Sequence, residues 1–157
     1  MRAWPLLLAL PLLAGCKNET ASVQFAGPDH ALTLQMRQAW FWEPTADLEV
    51  VMSRQPDCQR RSRLDSVALA EVNVDVLRPE AGVYAEPILI LKQGARFYAV
   101  STQNCEMQRF KAPPEKPGTR LGTFRLEGEK LKFVAAPVNK PSAPAVSASP
   151  SPAAQQQ

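Results

Sequence analysis

The chain has 157 residues, with 18 Lys or Arg side chains against 15 Asp or Glu side chains, and a formal charge of only +3. That charge is too small to indicate a nucleic-acid-binding protein, because such proteins carry a clustered basic excess. One histidine and three cysteines leave little scope for a four-ligand zinc site, and we expect no metal or other cofactor. A hydrophobic fraction of 45% is enough for a core, so the length indicates one folded domain with appendages.

The first sixteen residues have the pattern of a secretory signal. Arg2 precedes an apolar run at 6–13, and the small residues at 14–15 lead into Cys16. The run is too short for a membrane-spanning helix, which takes about 20 apolar residues. A basic start, a short apolar segment and a small-residue exit are instead the parts of a cleaved signal, which would comprise residues 1–15.

The exit sequence Leu13-Ala14-Gly15-Cys16 resembles the lipobox of bacterial lipoproteins. The resemblance implies that the Cys16 thiol receives a diacylglycerol, that a dedicated signal peptidase cuts before it, and that the new amine is acylated, for example with palmitate. Two or more acyl chains give a stable anchor where one does not. The alternative is an ordinary cleaved signal with a coincidental cysteine.

Residue 17 is Lys rather than Asp. By analogy with the sorting rule of enterobacterial lipoproteins, this implies release to the outer membrane. The domain would then lie at the periplasmic face of the outer membrane. Residues 16–29 are polar and contain the turn signal Gly27-Pro28-Asp29, so we expect a lipidated N-terminus and a tether, with a short strand at 23–26 at most.

Apolar and polar residues alternate with period two along much of the remaining chain, which is typical of half-buried strands. The predicted strands are 30–42, 46–54, 72–76, 88–91, 96–102, 121–126 and 131–134, with 63–69 as a strand or helical turn and 105–110 as a continuation. Residues 88–91 are apolar throughout, so that strand should be central and covered on both faces. We expect 92–94 to be a hairpin turn and 55–63 to be a polar loop.

This pattern predicts an all-β domain at 30–135, an antiparallel sandwich or small barrel of about seven or eight strands. Residues 136–157 are mostly Ala, Pro and Ser with a single charge, Lys140. Such a segment has nothing to bury and should be disordered. It is either a spacer reaching through the peptidoglycan mesh or a tail without a role.

Cys58 and Cys105 remain once Cys16 is assigned to the lipid. Two cysteines in an exported protein usually form one disulfide, and this bridge would contribute about 4 kcal/mol in the chain-entropy model. A redox or nucleophilic role is the alternative, but the chain has no Cys-x-x-Cys motif.

A basic cluster surrounds Cys58. Its members are Arg54, Arg60, Arg61 and Arg63. Arginine binds phosphate and carboxylate groups well, so the cluster is a candidate site for anionic lipid or peptidoglycan. The alternative is a solvated loop in which these side chains pair with Asp57 and Asp65.

Trp40, Phe41 and Trp42 form the densest aromatic group. Trp40 and Trp42 have the parity of the apolar residues at 32, 34 and 36, so we expect them to face the core. Phe41 would then point outward and is a candidate interface residue. The alternative is an exposed tryptophan pair that stacks on sugar rings or anchors a partner.

No catalytic motif of the Gly-x-Ser-x-Gly, His-Glu-x-x-His or glycine-rich phosphate-loop type occurs. His30 is the single histidine. Asp47 and Glu49 share one strand face and have the residue types of an acid/base pair, but exposed strands commonly look this way. We therefore predict a protein that is not an enzyme.

Gly94-Ala95-Arg96-Phe97 is similar to the Gly-Ala-Arg-aromatic segment of bacterial inhibitors of c-type lysozyme, some of which are small disulfide-bonded β-barrel lipoproteins. That family has Ser-Ala-Ser where this chain has Leu91-Lys92-Gln93, and its later Trp-x-Lys-Gly motif is missing here. The resemblance implies an inhibitor function in which Arg96 contacts a hydrolase.

The sequence thus predicts a non-enzymatic, lipid-anchored envelope lipoprotein that binds a protein or an envelope component such as peptidoglycan or anionic lipid. The alternative is an inhibitor of lysozyme-like hydrolases.

Overall fold

The computed structural model describes residues 16–40 and 42–137, which form two antiparallel β-sheets. The strands are β1 (Lys17–Gln24), β2 (His30–Gln38), β3 (Thr45–Arg54), β4 (Cys58–Arg63), β5 (Val67–Ala68), β6 (Asn73–Arg78), β7 (Ile88–Gln93), β8 (Arg96–Ser101), β9 (Met107–Arg109), β10 (Thr119–Glu127) and β11 (Lys130–Ala135). One 3-10 turn, Leu69–Glu71, is the sole helical element in these ranges. The all-β prediction is confirmed.

The first sheet has the order β1-β2-β3-β4, with β5 pairing the start of β3, and the second has the order β11-β10-β6-β7-β8-β9. Most neighbours are also consecutive in sequence, as expected where short turns join antiparallel strands. The exceptions are the short β5–β3 pairing and the pairing of β10 with β6, which places β10 between β11 and β6. The connection from β9 to β10 therefore crosses the second sheet from one edge to the far side of β6.

The core lies between the two sheets, where the inward residues of both form one buried cluster. The first sheet contributes Leu32, Leu34, Met36, Leu48, Val50 and Met52, and the second contributes Val74, Val76, Leu89, Leu91, Val100 and Phe124. Burying a side chain of this size stabilises the fold by roughly 1.5–3 kcal/mol before entropic costs. The architecture is a sandwich.

Strand β7 is central and covered on both faces, which confirms the prediction for its apolar run. Leu89 and Leu91 point into the sandwich, whereas Ile90 points outward, yet all three are at most 2% exposed. Ile90 pairs with Leu77 on one side and Ala99 on the other. The predicted turn into β8 is also present, with Gly94 at φ 57°.

Strand β1 replaces the tether predicted after Cys16, so that prediction is wrong. Lys17 pairs with Gln38 and Gln24 with Ala31, which makes β1 a full edge strand. Its inward positions alternate with exposed ones, but they begin with Lys17 and Glu19 rather than apolar residues. The folded domain therefore starts directly after Cys16.

Strand β4 replaces the predicted polar loop at 55–63. It pairs with β3 from Glu49 to Arg54 but buries none of its side chains fully. A polar edge strand lacks the alternation of apolar and polar residues, so its sequence pattern cannot be distinguished from that of a loop.

Two predicted segments fall outside the described residues: the signal at 1–15 and all of the 136–157 tail beyond Ala136 and Pro137. Among the residues that the structure does describe, no helix has the length and hydrophobicity needed to cross a membrane.

Candidate functional site

The strands run between two ends of the sandwich, which we call the Cys16 end and the disulfide end. The Cys16 end contains Lys17, Gln38 and the β10–β11 turn at Gly128. The disulfide end contains Arg54 and Arg78, whose guanidinium donates to the Phe25 carbonyl oxygen at 2.8 Å. The candidate sites predicted from the sequence divide between these two ends and the β4 edge.

The predicted disulfide is present. Cys58, at the start of β4, is bonded to Cys105 in the β8–β9 loop, with a Cα–Cα distance of 6.0 Å. Cys105 is buried and takes φ 59°, a conformation that side-chain-bearing residues rarely adopt. The bond joins the two sheets at one edge of the sandwich.

The other edge of the sandwich, which we call the seam, is closed by ion pairs between β1 and the β10–β11 hairpin. Lys130 Nζ lies 3.1 Å from Glu19 Oε1, and Lys17 Nζ lies 3.8 Å from Glu129 Oε2. The hydrogen bond from Lys130 is the main cause that holds the pKa of Glu19 below its usual value. Sequence patterning missed this seam, because each pair joins residues that are far apart in the chain.

Cys16 is exposed and stands immediately before β1. Its neighbour Lys17 is hydrogen-bonded into the sheet opposite Gln38. A cleft of about 670 Å³ opens at this end, with Met36, Val72 and Leu126 among its lining residues. A group attached to Cys16 would therefore be separated from the first strand by no intervening residue.

Trp40 and Trp42 do not face the core, so that prediction is wrong. Strand β2 ends at Gln38, and the two indoles are 52% and 62% exposed. They stack on each other, with ring centroids 5.2 Å apart and planes 13° from parallel. The parity argument failed because it assumed that the strand continues past Gln38. Phe41, the predicted interface residue, lies outside the described residues.

Each arginine around Cys58 forms an ion pair. Arg54 lies 3.3 Å from Asp57 and Arg60 lies 3.1 Å from Glu106. Arg61 and Arg63 share the Glu49 carboxylate, at 3.4 and 3.3 Å. Of the predicted acidic partners, Asp57 is confirmed but Asp65 is not, since it pairs elsewhere. The arrangement is that of a paired surface strand and not of four unopposed charges converging on a ligand.

Asp65 instead contacts three side chains of β8 and β9, among them Arg96, which the sequence suggested as a binding residue. Arg96 Nε lies 2.9 Å from Asp65 Oδ2, Arg109 lies 3.8 Å from the same oxygen, and the Tyr98 hydroxyl donates to it at 3.1 Å. Burial, followed by the hydrogen bond and charge of Asp65, raises the pKa of Tyr98 above its usual value. Arg96 is thus held in place while its side chain stays 43% exposed.

The hairpin at Gly94 and Arg96 borders an open cleft of about 610 Å³. Its lining carries charges of both signs, from Glu71, Asp75, Lys92 and Arg96. Lys92 also lies 5.9 Å from the centre of the Phe97 ring. A cleft of this kind suits a polar partner loop better than an apolar small molecule.

The acidic residues considered for catalysis are engaged in structural contacts. Asp47 accepts a hydrogen bond from Ser66 at 2.6 Å, and Glu49 is held by Arg61 and Arg63. His30 lies at the far end of β3 from Asp47, with its ring edge-on to Phe25. Nothing in this arrangement brings His30 to the two carboxylates.

Within residues 16–40 and 42–137, no three His, Cys, Asp or Glu side chains are grouped so that they could hold a metal ion. The chain matches no protein-family model, no curated protein and no solved structure.

Proposed function

We propose that the protein is a lipid-anchored lipoprotein of the bacterial cell envelope, acylated on Cys16. Its sandwich would bind a protein or an envelope component without catalysing a reaction. The observation that carries the proposal is the lipobox ending in Cys16, which is exposed and directly precedes the first strand of the folded domain. A modified cysteine at that position disturbs no packed element.

The disulfide supports export. Bridges of this kind persist in oxidising compartments and are rare in the cytosol of most organisms. Cys58–Cys105 connects two sheet edges, so the folded domain itself benefits from an oxidising environment. The engaged carboxylates Asp47 and Glu49 support a binding role over hydrolysis.

The proposal is tested by metabolic labelling with radioactive palmitate in a bacterium that processes lipoproteins. The full-length protein should be labelled and should sediment with membranes, whereas Cys16→Ala should lose both properties. Cys58→Ser/Cys105→Ser serves as the matched control, because it removes cysteines but should keep the label. Palmitate in the Cys16→Ala variant, or none in the wild type, would refute the anchor.

We further propose that the lipoprotein resides in the outer membrane, facing the periplasm. By analogy with the enterobacterial rule, Lys17→Asp should shift the protein from outer-membrane to inner-membrane fractions of a density gradient. Asn18→Asp is the control, since it places an aspartate one residue later at an exposed position. An unchanged distribution for Lys17→Asp would remove the support for outer-membrane sorting.

Inhibition of a lysozyme-like hydrolase is the second candidate function. The specific observation in its favour is that the Gly94–Arg96 hairpin borders an open charged cleft, with Arg96 held by Asp65. Stoichiometric amounts of the purified protein should then slow c-type lysozyme, and Arg96→Ala should abolish the effect. Arg125→Ala, which removes another surface ion pair, should not. No inhibition by the wild type eliminates this candidate.

A further inference from the structure

The Trp40–Trp42 pair is the largest exposed apolar feature of the described surface. Only three large hydrophobic side chains are exposed there: these two indoles and Val83, which is 40% exposed. Stacking makes the pair a single aromatic projection. Contiguous exposed apolar groups on a soluble domain mark a surface that contacts something else.

Hydrogen bonds link the residues that flank the pair to the folded domain. The Glu43 amide donates to the Trp40 carbonyl oxygen at 3.0 Å. The buried side chain of Gln38 donates to the Glu43 carbonyl oxygen at 2.7 Å, and the Leu69 amide donates to the Pro44 carbonyl oxygen at 2.8 Å. The chain on the Glu43 side of the pair is therefore attached to the folded domain through Gln38 and Leu69.

The pair lies at the Cys16 end of the sandwich. Gln38 pairs with Lys17, so Trp40 is two residues beyond Gln38 and Cys16 is one residue beyond Lys17. With about 3.8 Å between successive Cα atoms and about 5.5 Å across a strand pair, the Cα atoms of Cys16 and Trp40 are at most about 17 Å apart. No tether separates the proposed lipid attachment point from this surface.

We propose that Trp40 and Trp42 insert into the interfacial region of the same bilayer that holds the acyl chains of Cys16. The inference rests on the proposed acylation. Indole rings favour the boundary between headgroups and acyl chains, because one part of the ring system is apolar and its N–H can still meet water or headgroups. The lipid brings this end of the domain to the membrane, and the tryptophans provide a second contact that fixes its orientation.

The two lysines nearest to Cys16 at the β1–β11 edge are each paired with a carboxylate. Lys17 is opposed by Glu129 and Lys130 by Glu19. These lysines are therefore not free to attract anionic lipid, and the insertion proposed for the indoles does not depend on such lipid, so the pair should insert into neutral phosphatidylcholine as well. The disulfide end, at the other end of the strands, then faces away from the membrane.

Intrinsic fluorescence tests the proposal directly. The chain has three tryptophans, of which Trp4 is removed with the signal, so Trp40 and Trp42 are the sole fluorophores of this type in the mature protein. The acylated protein is reconstituted into phosphatidylcholine vesicles whose acyl chains carry bromine close to the headgroup. Insertion to the interfacial depth should quench the emission and protect it from aqueous acrylamide.

A reporter at the disulfide end provides the matched control. Trp40→Ala/Trp42→Ala with Val83→Trp moves the fluorophore to an exposed residue of the β6–β7 loop. Its emission should be insensitive to brominated lipid in the same vesicles. Equal quenching at both positions would mean that the domain has no fixed orientation, which contradicts the proposal.

The remaining outcomes distinguish a failure of tryptophan insertion from a failure of the acyl anchor. A protein that floats with the vesicles but keeps acrylamide-accessible tryptophans retains its anchor and overturns the insertion. Tryptophans shielded from acrylamide without quenching by bromine are covered by protein, which also overturns it. A mature protein that does not float with vesicles refutes the acyl anchor, and the insertion falls with it.

Discussion

Lys130 donates from Nζ to Oε1 of Glu19 at 3.1 Å, and this contact joins the two sheets across the edge formed by β1 and β11. The Glu19 side chain is only 12% exposed, whereas that of Lys130 is 72% exposed. Apart from this seam, β1 is held by a single neighbouring strand, β2. The contact therefore helps to attach the strand that follows the proposed lipidation site.

The seam should weaken in acid. Lys130 holds the pKa of Glu19 below the ordinary value of 4.5, so the folded state favours the carboxylate form. The resulting stabilisation is fully present above pH 4.5 and is lost as the pH falls through the lowered pKa. Glu19→Gln should reduce the drop in Tm measured between about pH 6 and about pH 3.

Glu129→Gln is the control for this prediction. Its side chain is 89% exposed and its ion pair with Lys17 is longer, so its removal should leave the acid dependence close to that of the wild type. An identical acid dependence in Glu19→Gln and the wild type would show that the Glu19 carboxylate does not stabilise the seam.

The buried amide of Gln38 should be needed for the loop that carries the tryptophans. Gln38 is 3% exposed, and its side chain satisfies the Glu43 carbonyl oxygen. Gln38→Leu keeps the volume but leaves a carbonyl without this donor, so we expect a loss of about 1–3 kcal/mol in the free energy of unfolding. Time-resolved anisotropy of Trp40 and Trp42 should show faster local motion.

Gln35→Leu tests whether that effect is specific. Gln35 belongs to the same strand but is only partly buried and faces away from the core. Its replacement should change stability by no more than about 0.5 kcal/mol. Equal effects of the two substitutions would mean that the bond to Glu43 is not what holds the loop.

The strands that the sequence predicted are those whose inward positions are apolar. In β2, β3 and β7 the alternation or the apolar run is local, so it can be read without knowing the partners. The disulfide could be predicted by counting, since only Cys58 and Cys105 remained once Cys16 was assigned. Both inferences need no knowledge of which strands pair.

The features that the sequence did not reveal depend on where strands end and on contacts between residues that are far apart in the chain. Strand β1 places Lys17 and Glu19 at inward positions, and Glu19 is satisfied by a residue 111 positions later. The exposure of Trp40 depended on where β2 ends, and the polar Gln38 at an inward position was the available signal. The ion pair of Arg96 with Asp65 joins β8 to the segment after β4 and has no local pattern.

Gly122 should not tolerate a side chain. An added Cβ would overlap the Phe133 ring and lie 2.6 Å from the Val134 carbonyl oxygen. Phe133 itself packs edge-on against Phe124 in the core, with ring centroids 4.9 Å apart, so it cannot move freely. Gly122→Ala should lower the free energy of unfolding by about 1–3 kcal/mol in denaturant titrations.

A double-mutant cycle identifies the cause of that loss. Phe133→Leu shortens the ring that the new methyl group would meet, so Gly122→Ala/Phe133→Leu should be less destabilised than the sum of the single variants. Strict additivity would indicate that the strain comes from the backbone carbonyl and not from the ring.

The disulfide should contribute more to the free energy of unfolding than any other single interaction in the domain. Cys58 and Cys105 lie 47 residues apart, and closing a loop of that size contributes about 4 kcal/mol in the chain-entropy model. Cys58→Ser/Cys105→Ser should therefore lose stability of that order in denaturant titrations. Adding reductant should destabilise the wild type but leave the double variant unchanged.

Thiol titration of the denatured mature protein checks the chemistry behind this prediction. If Cys16 carries a lipid thioether, no thiol should react before reduction and two should react after it. One reactive thiol before reduction would locate the failure at Cys16, because the bridge would be intact and the anchor missing. Two would locate it at the bridge instead, since Cys58 and Cys105 would then be free while Cys16 remains modified.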